Sequence, residues 1–169
     1  MKNVLSDELQ FVQQHVFKAC GFEFDNLVLN PESAKYSACS FVLNQKVVVY
    51  REANCTPKKI GQFVAIWKRN ELGITAPFDA SDVLDFMIIS VRMNENLGHF
   101  VFPKAVLISK GIVSKEGKSG KRGIRVYPAW ETPSSKQAIE TQAWQSKHFI
   151  LIPEKTPLNC DTYKKLFSD

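Results

Sequence analysis

The most constraining feature of this chain is a succession of short β-branched and aromatic runs, each closed by turn residues, with helical periodicity confined to the two ends. Residues 39–43 and 47–52 are two such runs. Asn44, Gln45 and Lys46 separate them, which predicts a hairpin with a short loop. Residues 62–69 predict a third strand, in which Phe63, Ala65 and Trp67 alternate with more polar neighbours. Residues 85–92 predict a fourth, and its continuous apolar centre implies burial on both faces. Residues 99–102 make a short fifth. Residues 122–127 make a sixth, with Ile124 and Val126 on one face and Arg125 and Tyr127 on the other. Residues 149–152 return as a strand that ends at Pro153.

Helical spacing appears at the flanks. Leu9, Val12, Val16, Phe17 and Cys20 recur at intervals of three and four, so residues 6–20 predict an amphipathic helix capped by Gly21. Ser134 or Ser135 caps a second helix to about Lys147, with Ala138, Ile139 and Trp144 as its apolar face. Residues 161–167 form a short terminal helix, and residues 22–35 read as an irregular connection with a turn at Asn30 and Pro31. Runs of strands with helices set apart from them define an α+β fold. The expected architecture is a single domain over residues 1–169, a mainly antiparallel curved sheet of about six strands with helices near the N-terminus and C-terminus.

Length and composition agree with this. The chain has 169 residues, close to the roughly 150 of one domain. With 44% hydrophobic and 23% charged residues it is neither disordered, collagenous nor a coiled coil. No apolar run reaches the roughly 18 residues of a transmembrane helix, so no membrane partner is expected. Asp7 and Glu8 stand where a signal peptide needs an apolar core, which predicts a cytoplasmic protein. The four cysteines, Cys20, Cys39, Cys55 and Cys160, lack zinc-ligand spacing. They read as free thiols of a reducing compartment, with Cys20 and Cys39 packed inside.

The charge is unevenly placed. Residues 104–125 hold Lys104, Lys110, Lys115, Lys118, Lys121, Arg122 and Arg125 against one acid, Glu116. Since the whole chain carries +5, this one window accounts for all of it. A concentrated positive field attracts polyanions, because it replaces condensed counterions along a phosphate backbone. The alternative is a solvated basic loop. Gly117-Lys118-Ser119 is not a phosphate-binding loop of the Walker type, because the first glycine that motif requires falls on Ile112. Gly117, Gly120 and Gly123 read instead as turn residues at positive φ. His15, His99 and His148 are far apart, and no nucleophile–histidine spacing stands out.

Three constellations remain. Lys104, Lys118, Lys121, Arg122 and Arg125 would contact DNA or RNA phosphates, with Tyr127 or Trp130 stacking on bases. Lys68 and Arg69, with Lys58 and Lys59 upstream, would extend that face. Neutralising about five phosphates implies a slope of log K on log salt of roughly −4 to −5. Binding of this kind needs no cofactor. The third constellation is acidic: Asp79, Asp82 and Asp85 precede or open the fourth strand. Asp82 and Asp85 would hold Mg²⁺ through oxygen ligands, with Lys104 stabilising charge in a metal-dependent phosphodiesterase. A restriction-nuclease-like core has an acid two residues before its lysine. That position is Phe102 here, and Glu52 substitutes only if the fold brings it near. The alternative for the aspartates is turn capping. A non-enzymatic adaptor or small-anion sensor is the third functional class.

Several segments together resemble the MepB-like family. They are Gly61-Gln62-Phe63-Val64 with Trp67-Lys68-Arg69, Ala76-Pro77-Phe78-Asp79 with Asp82 and Asp85-Phe86, and Gly98 to Lys104. Gly120-Lys121-Arg122, Arg125-Val126-Tyr127-Pro128 and the helix with Lys136-Gln137-Ala138 and Thr141 to Gln145 add to them. The resemblance spans roughly residues 8–152. It implies a bacterial, cytosolic protein of a family with no settled activity, for which a nucleic-acid-binding role on a nuclease-like frame has been considered, and it brings no catalytic residues with it.

Overall fold

A computed structural model describes residues 5–168. Its frame is a six-stranded sheet ordered β1 (Phe24–Leu29), β2 (Cys39–Leu43), β3 (Lys46–Glu52), β8 (Phe86–Met93), β9 (Asn96–Pro103), β11 (Phe149–Leu151). The β2–β3 hairpin closes through Asn44 and Gln45, both at positive φ, as a two-residue turn matched to strand twist requires. Every neighbouring pair is antiparallel except β3–β8, which runs parallel from Val48 beside Phe86 to Glu52 beside Ser90. The sheet is therefore mixed, though mainly antiparallel.

Parallel neighbours need a long crossover. Here strands supply it: β4 (Asn54–Thr56), β5 (Lys59–Ala65), β6 (Lys68–Arg69) and β7 (Thr75–Ala76). β5 pairs with β4 and with β10 (Gly123–Val126), making a second, three-stranded sheet, while β6 and β7 form a small ribbon. The expected strand over 62–69 is thus divided. Its second half leaves β5 after Ala65 and turns to pair with β7.

The large sheet is covered on both sides. On one side lies α1 (Asp7–Val12), capped by the Ser6 hydroxyl and continued by a π-helical stretch, Gln13–Lys18. With it lies α4 (Cys160–Leu166), capped by Asn159. Leu9, Val16, Phe17 and Tyr163 pack there on Phe41, Tyr50 and Ile88. On the other side Val49, Met87, Ile89 and Phe100 meet Val64 and Val126 of the second sheet and Leu107 of α2 (Lys104–Ser109). The central strands β3 and β8 are consequently buried on both faces, as the apolar run over 85–92 requires.

Two elements carry apolar residues in no readable period. β1 is exposed along its centre and bulged near Asn26, so pairing at the sheet edge holds it there while Phe24 and Leu29 at its ends pack on the core. α2 follows directly on β9, and only Leu107 is buried.

The cysteine expectation is corrected. Cys20 and Cys160 form a disulfide between segments 140 residues apart, because the π-helical stretch and α4 pack on the same sheet face with these Cα atoms 5.3 Å apart. Cys39 and Cys55 are the free thiols. Cys39 is buried, and burial pushes its thiol up to about 12. Beneath the same helices His99 is fully buried with Nδ1 2.9 Å from the Tyr163 hydroxyl, and burial lowers its pKa to about 3. No helix among the described residues is long and apolar enough to cross a membrane.

Candidate nucleic-acid interface

β10 sorts the basic window by the two-residue period of a strand. Ile124 and Val126 turn into the core, while Gly123, Arg125 and Tyr127 face outward with Lys121. The outward side lines a cleft of about 490 Å³, bounded by β5, the start of α2's following loop and α3 (Lys136–Gln145, capped by Ser135). Four cations line it: Lys59, Lys110, Lys121 and Arg125. No Asp or Glu is among its lining residues. The Arg125 guanidinium donates to Thr56 Oγ1 at 3.0 Å and to the carbonyls of Ile60 and Gly61, both at 3.3 Å. These acceptors fix its direction without neutralising it. The Lys110 ammonium lies 5.4 Å from the centre of the Trp144 ring.

α3 braces the outer strand from the side. The Gln145 side chain, 1% exposed, accepts from the Tyr127 N–H at 2.9 Å and donates to the Arg125 carbonyl at 3.1 Å. It thereby serves as the missing neighbour of an edge strand. Gln142 donates to the carbonyls of Pro128 and Glu131. The expected apolar face of this helix is corrected at Ile139, which stays half exposed; the helix docks through Trp144 and two glutamines.

The other expected contacts lie elsewhere. Arg122 points away from the cleft, donating to the Thr75 carbonyl on β7, opposite Arg69. Arg69 donates to the Gly73 carbonyl and sits over the Trp67 ring. Lys118 is in an exposed turn closed by its backbone bonds with Lys115. Trp130 does not offer a stacking face: it packs in the core against Phe149. Of the three glycines, only Gly117 has positive φ. Gly120 is required by close approach, since a Cβ there would lie 2.2 Å from the Ile112 carbonyl oxygen.

The acidic constellation does converge on one corner, and its members serve one another. Asp82 accepts from Lys68 Nζ at 2.5 Å and from the Asp79 N–H at 2.7 Å. Lys104 Nζ donates to the Asp82 carbonyl at 2.7 Å. Asp85 accepts from the Val47 N–H at 2.8 Å, and its carbonyl accepts from the Lys104 N–H. Asp79 accepts from the Ser81 hydroxyl and N–H, which hold its carboxyl below the usual range. These are capping roles. Among the described residues no three His, Cys, Asp or Glu side chains are grouped as metal ligands. Glu52 does not join them. It is the last residue of β3, five residues or roughly 16 Å along the strand from Val47, and it accepts from Ser37 and Tyr50 instead.

Sequence reasoning missed Phe63, Gln142, Gln145 and the placement of Lys110 at the cleft. The alternation of Arg125 and Tyr127 against Ile124 and Val126, with Lys121 in the basic window, was the readable signal for the rest. A larger cavity of about 540 Å³ lies beside β11, but Glu95 and Glu154 line it and give it the wrong sign for an anion.

Fold and cleft together define a class: single-domain α+β proteins with a mixed six-stranded sheet and an acid-free basic cleft on a smaller second sheet. The comparisons make this specific. The sequence model of the MepB-like family matches residues 30–151, and the chain belongs to that family. A solved structure described as the crystal structure of MepB superposes with a TM-score of 0.76 at 30% identity, covering 89% of this chain and 100% of that one. No curated protein matches.

Proposed function

We propose that this chain is a bacterial, cytoplasmic nucleic-acid-binding protein whose contact surface is the cleft of Lys59, Lys110, Lys121 and Arg125. One observation carries the reading: four cations share a concave surface that no carboxylate lines. Cations without counter-charges replace condensed counterions when a phosphate backbone enters, so binding is driven by ion release. Membership of the MepB-like family, which implies a bacterial, cytosolic protein, supports those two parts of the proposal. The sequence-based face shrinks accordingly: Lys121, Arg125 and Tyr127 stay in the primary surface, whereas Lys68 and Lys104 are engaged at Asp82.

The test is a titration of labelled single-stranded and duplex oligonucleotides at low and moderate salt, with and without Mg²⁺. Three to four neutralised phosphates give a slope of log K on log salt of roughly −3. A binding constant indifferent to salt overturns the proposal. Mg²⁺-dependent shortening of the strand would move the reading to the Asp82, Asp85 and Lys104 hydrolase. A small phosphorylated ligand is favoured by one observation, the cleft volume, which falls in the small-molecule range. A mononucleotide that competes at micromolar concentration would favour it.

A further inference from the structure

The floor of the cleft carries a feature beyond charge. On the outward face of the β10–β5 pair, Arg125 stands opposite Phe63, and the Tyr127 ring lies over Gly61. A Cβ at Gly61 would come within 2.8 Å of that ring, and the residue has φ of +85°. Glycine is therefore what lets the ring lie down on the sheet. The same arrangement recurs one row away: the Phe63 ring covers Gly123, where a Cβ would lie 2.5 Å from it. Two rings, each seated on a glycine and each partly exposed, thus line the cleft beside Lys59, Lys121 and Arg125. Tyr36 meets Phe63 edge-on at 6.2 Å, whereas Tyr127 has no ring partner among the described residues.

Resting on the polyanion reading above, we propose that the ligand of this cleft is single-stranded nucleic acid, with an unpaired base stacked on Tyr127 and its flanking phosphates held by Lys121 and Arg125. In a duplex the faces of the bases are already covered by stacking on one another, and pairing holds them inside. A flat ring set beside phosphate-binding cations can use a base only after it is unpaired. Every base has such a face, so the ring favours strandedness over sequence. The main chain beneath the ring is fixed by Gln145, which keeps the ring in place before the ligand arrives.

The experiment compares three labelled probes of equal length on the wild-type protein: oligothymidylate, the matching abasic strand and a duplex. The abasic strand keeps the phosphates and removes the bases, so this arm needs no protein variant. The abasic strand and the duplex are each expected to bind about tenfold more weakly than oligothymidylate. A Tyr127→Leu variant, which keeps bulk over Gly61, should lose about the same factor on oligothymidylate and nothing on the abasic strand. Equal affinity for the base-bearing and abasic strands overturns the stacking inference but leaves the charged cleft standing. A duplex that binds as tightly as the single strand does the same. Failure of all three probes at low salt removes both the inference and the reading on which it rests.

Discussion

Two basic regions of this protein look alike in sequence and differ in structure. Lys68 and Lys104 meet at one corner and turn to Asp82, one to its carboxylate and one to its carbonyl. Lys59, Lys110, Lys121 and Arg125 meet at another, where the acceptors near Arg125 are neutral and no carboxylate lines the surface. The first region uses its charge to hold a turn. The second keeps its charge available. Density of lysine and arginine along the chain therefore measures neither; the distribution of acceptors does. His99 shows a third outcome. Burial alone holds its ring neutral.

The sharpest way to break the comparison is to reverse charge in the cleft. The double variant Lys59→Glu/Lys121→Glu should lower oligonucleotide affinity about a hundredfold at low salt. Both side chains are exposed, so its melting temperature should stay near that of the wild type. If affinity is retained, the cleft is not the contact surface.

The next effect belongs to His99. Its ordinary pKa is 6.5 and its folded value is about 3, so the unfolded chain binds the extra proton throughout that window. Stability is fully present above pH 6.5 and falls as the pH drops toward 3. At pH 5 the loss is about 2 kcal/mol relative to neutral pH. Denaturant unfolding at the two values measures it, and a His99→Gln variant should flatten this part of the profile. An unchanged midpoint would mean that the buried site accepts a proton after all.

The smallest effect tests the neutralised corner. Asp82→Asn keeps the shape of the side chain and removes its charge, at a cost of about 1 kcal/mol because the ion pair with Lys68 is partly exposed. Freed from Asp82, Lys68 should raise oligonucleotide affinity by about twofold. A fall in affinity would place this corner in the contact surface and erase the distinction between the two regions.

Much of the frame was legible. The hairpin of β2 and β3, the doubly buried β8, the alternation in β10 and the Ser135 cap of α3 follow from period, turn residues and a serine at a helix start. β1 was not legible, because an edge strand needs partners more than a buried face. The disulfide was not legible either, since nothing in the spacing of Cys20 and Cys160 records that two helical segments share one sheet face. Within the candidate site, Arg125 and Tyr127 were readable as one face of a strand, and Lys121 as a member of the basic window before it. Phe63 and Gln145 were not, because β5 and α3 reach β10 only through the tertiary fold.

By itself the sequence determined which residues prefer strand or helix, which faces are apolar, and that all the net charge lies in one glycine-punctuated window. Those are local properties, set by backbone preference and by the period of side chains along an element. The tertiary structure alone decided which cations have acceptors. Pairing β10 with β5 turned Lys121 and Arg125 toward Lys59, and the turn before β8 gave Lys68 to Asp82. Electrostatic interaction depends on distances of a few ångströms between residues far apart in the chain, and only folding sets those distances.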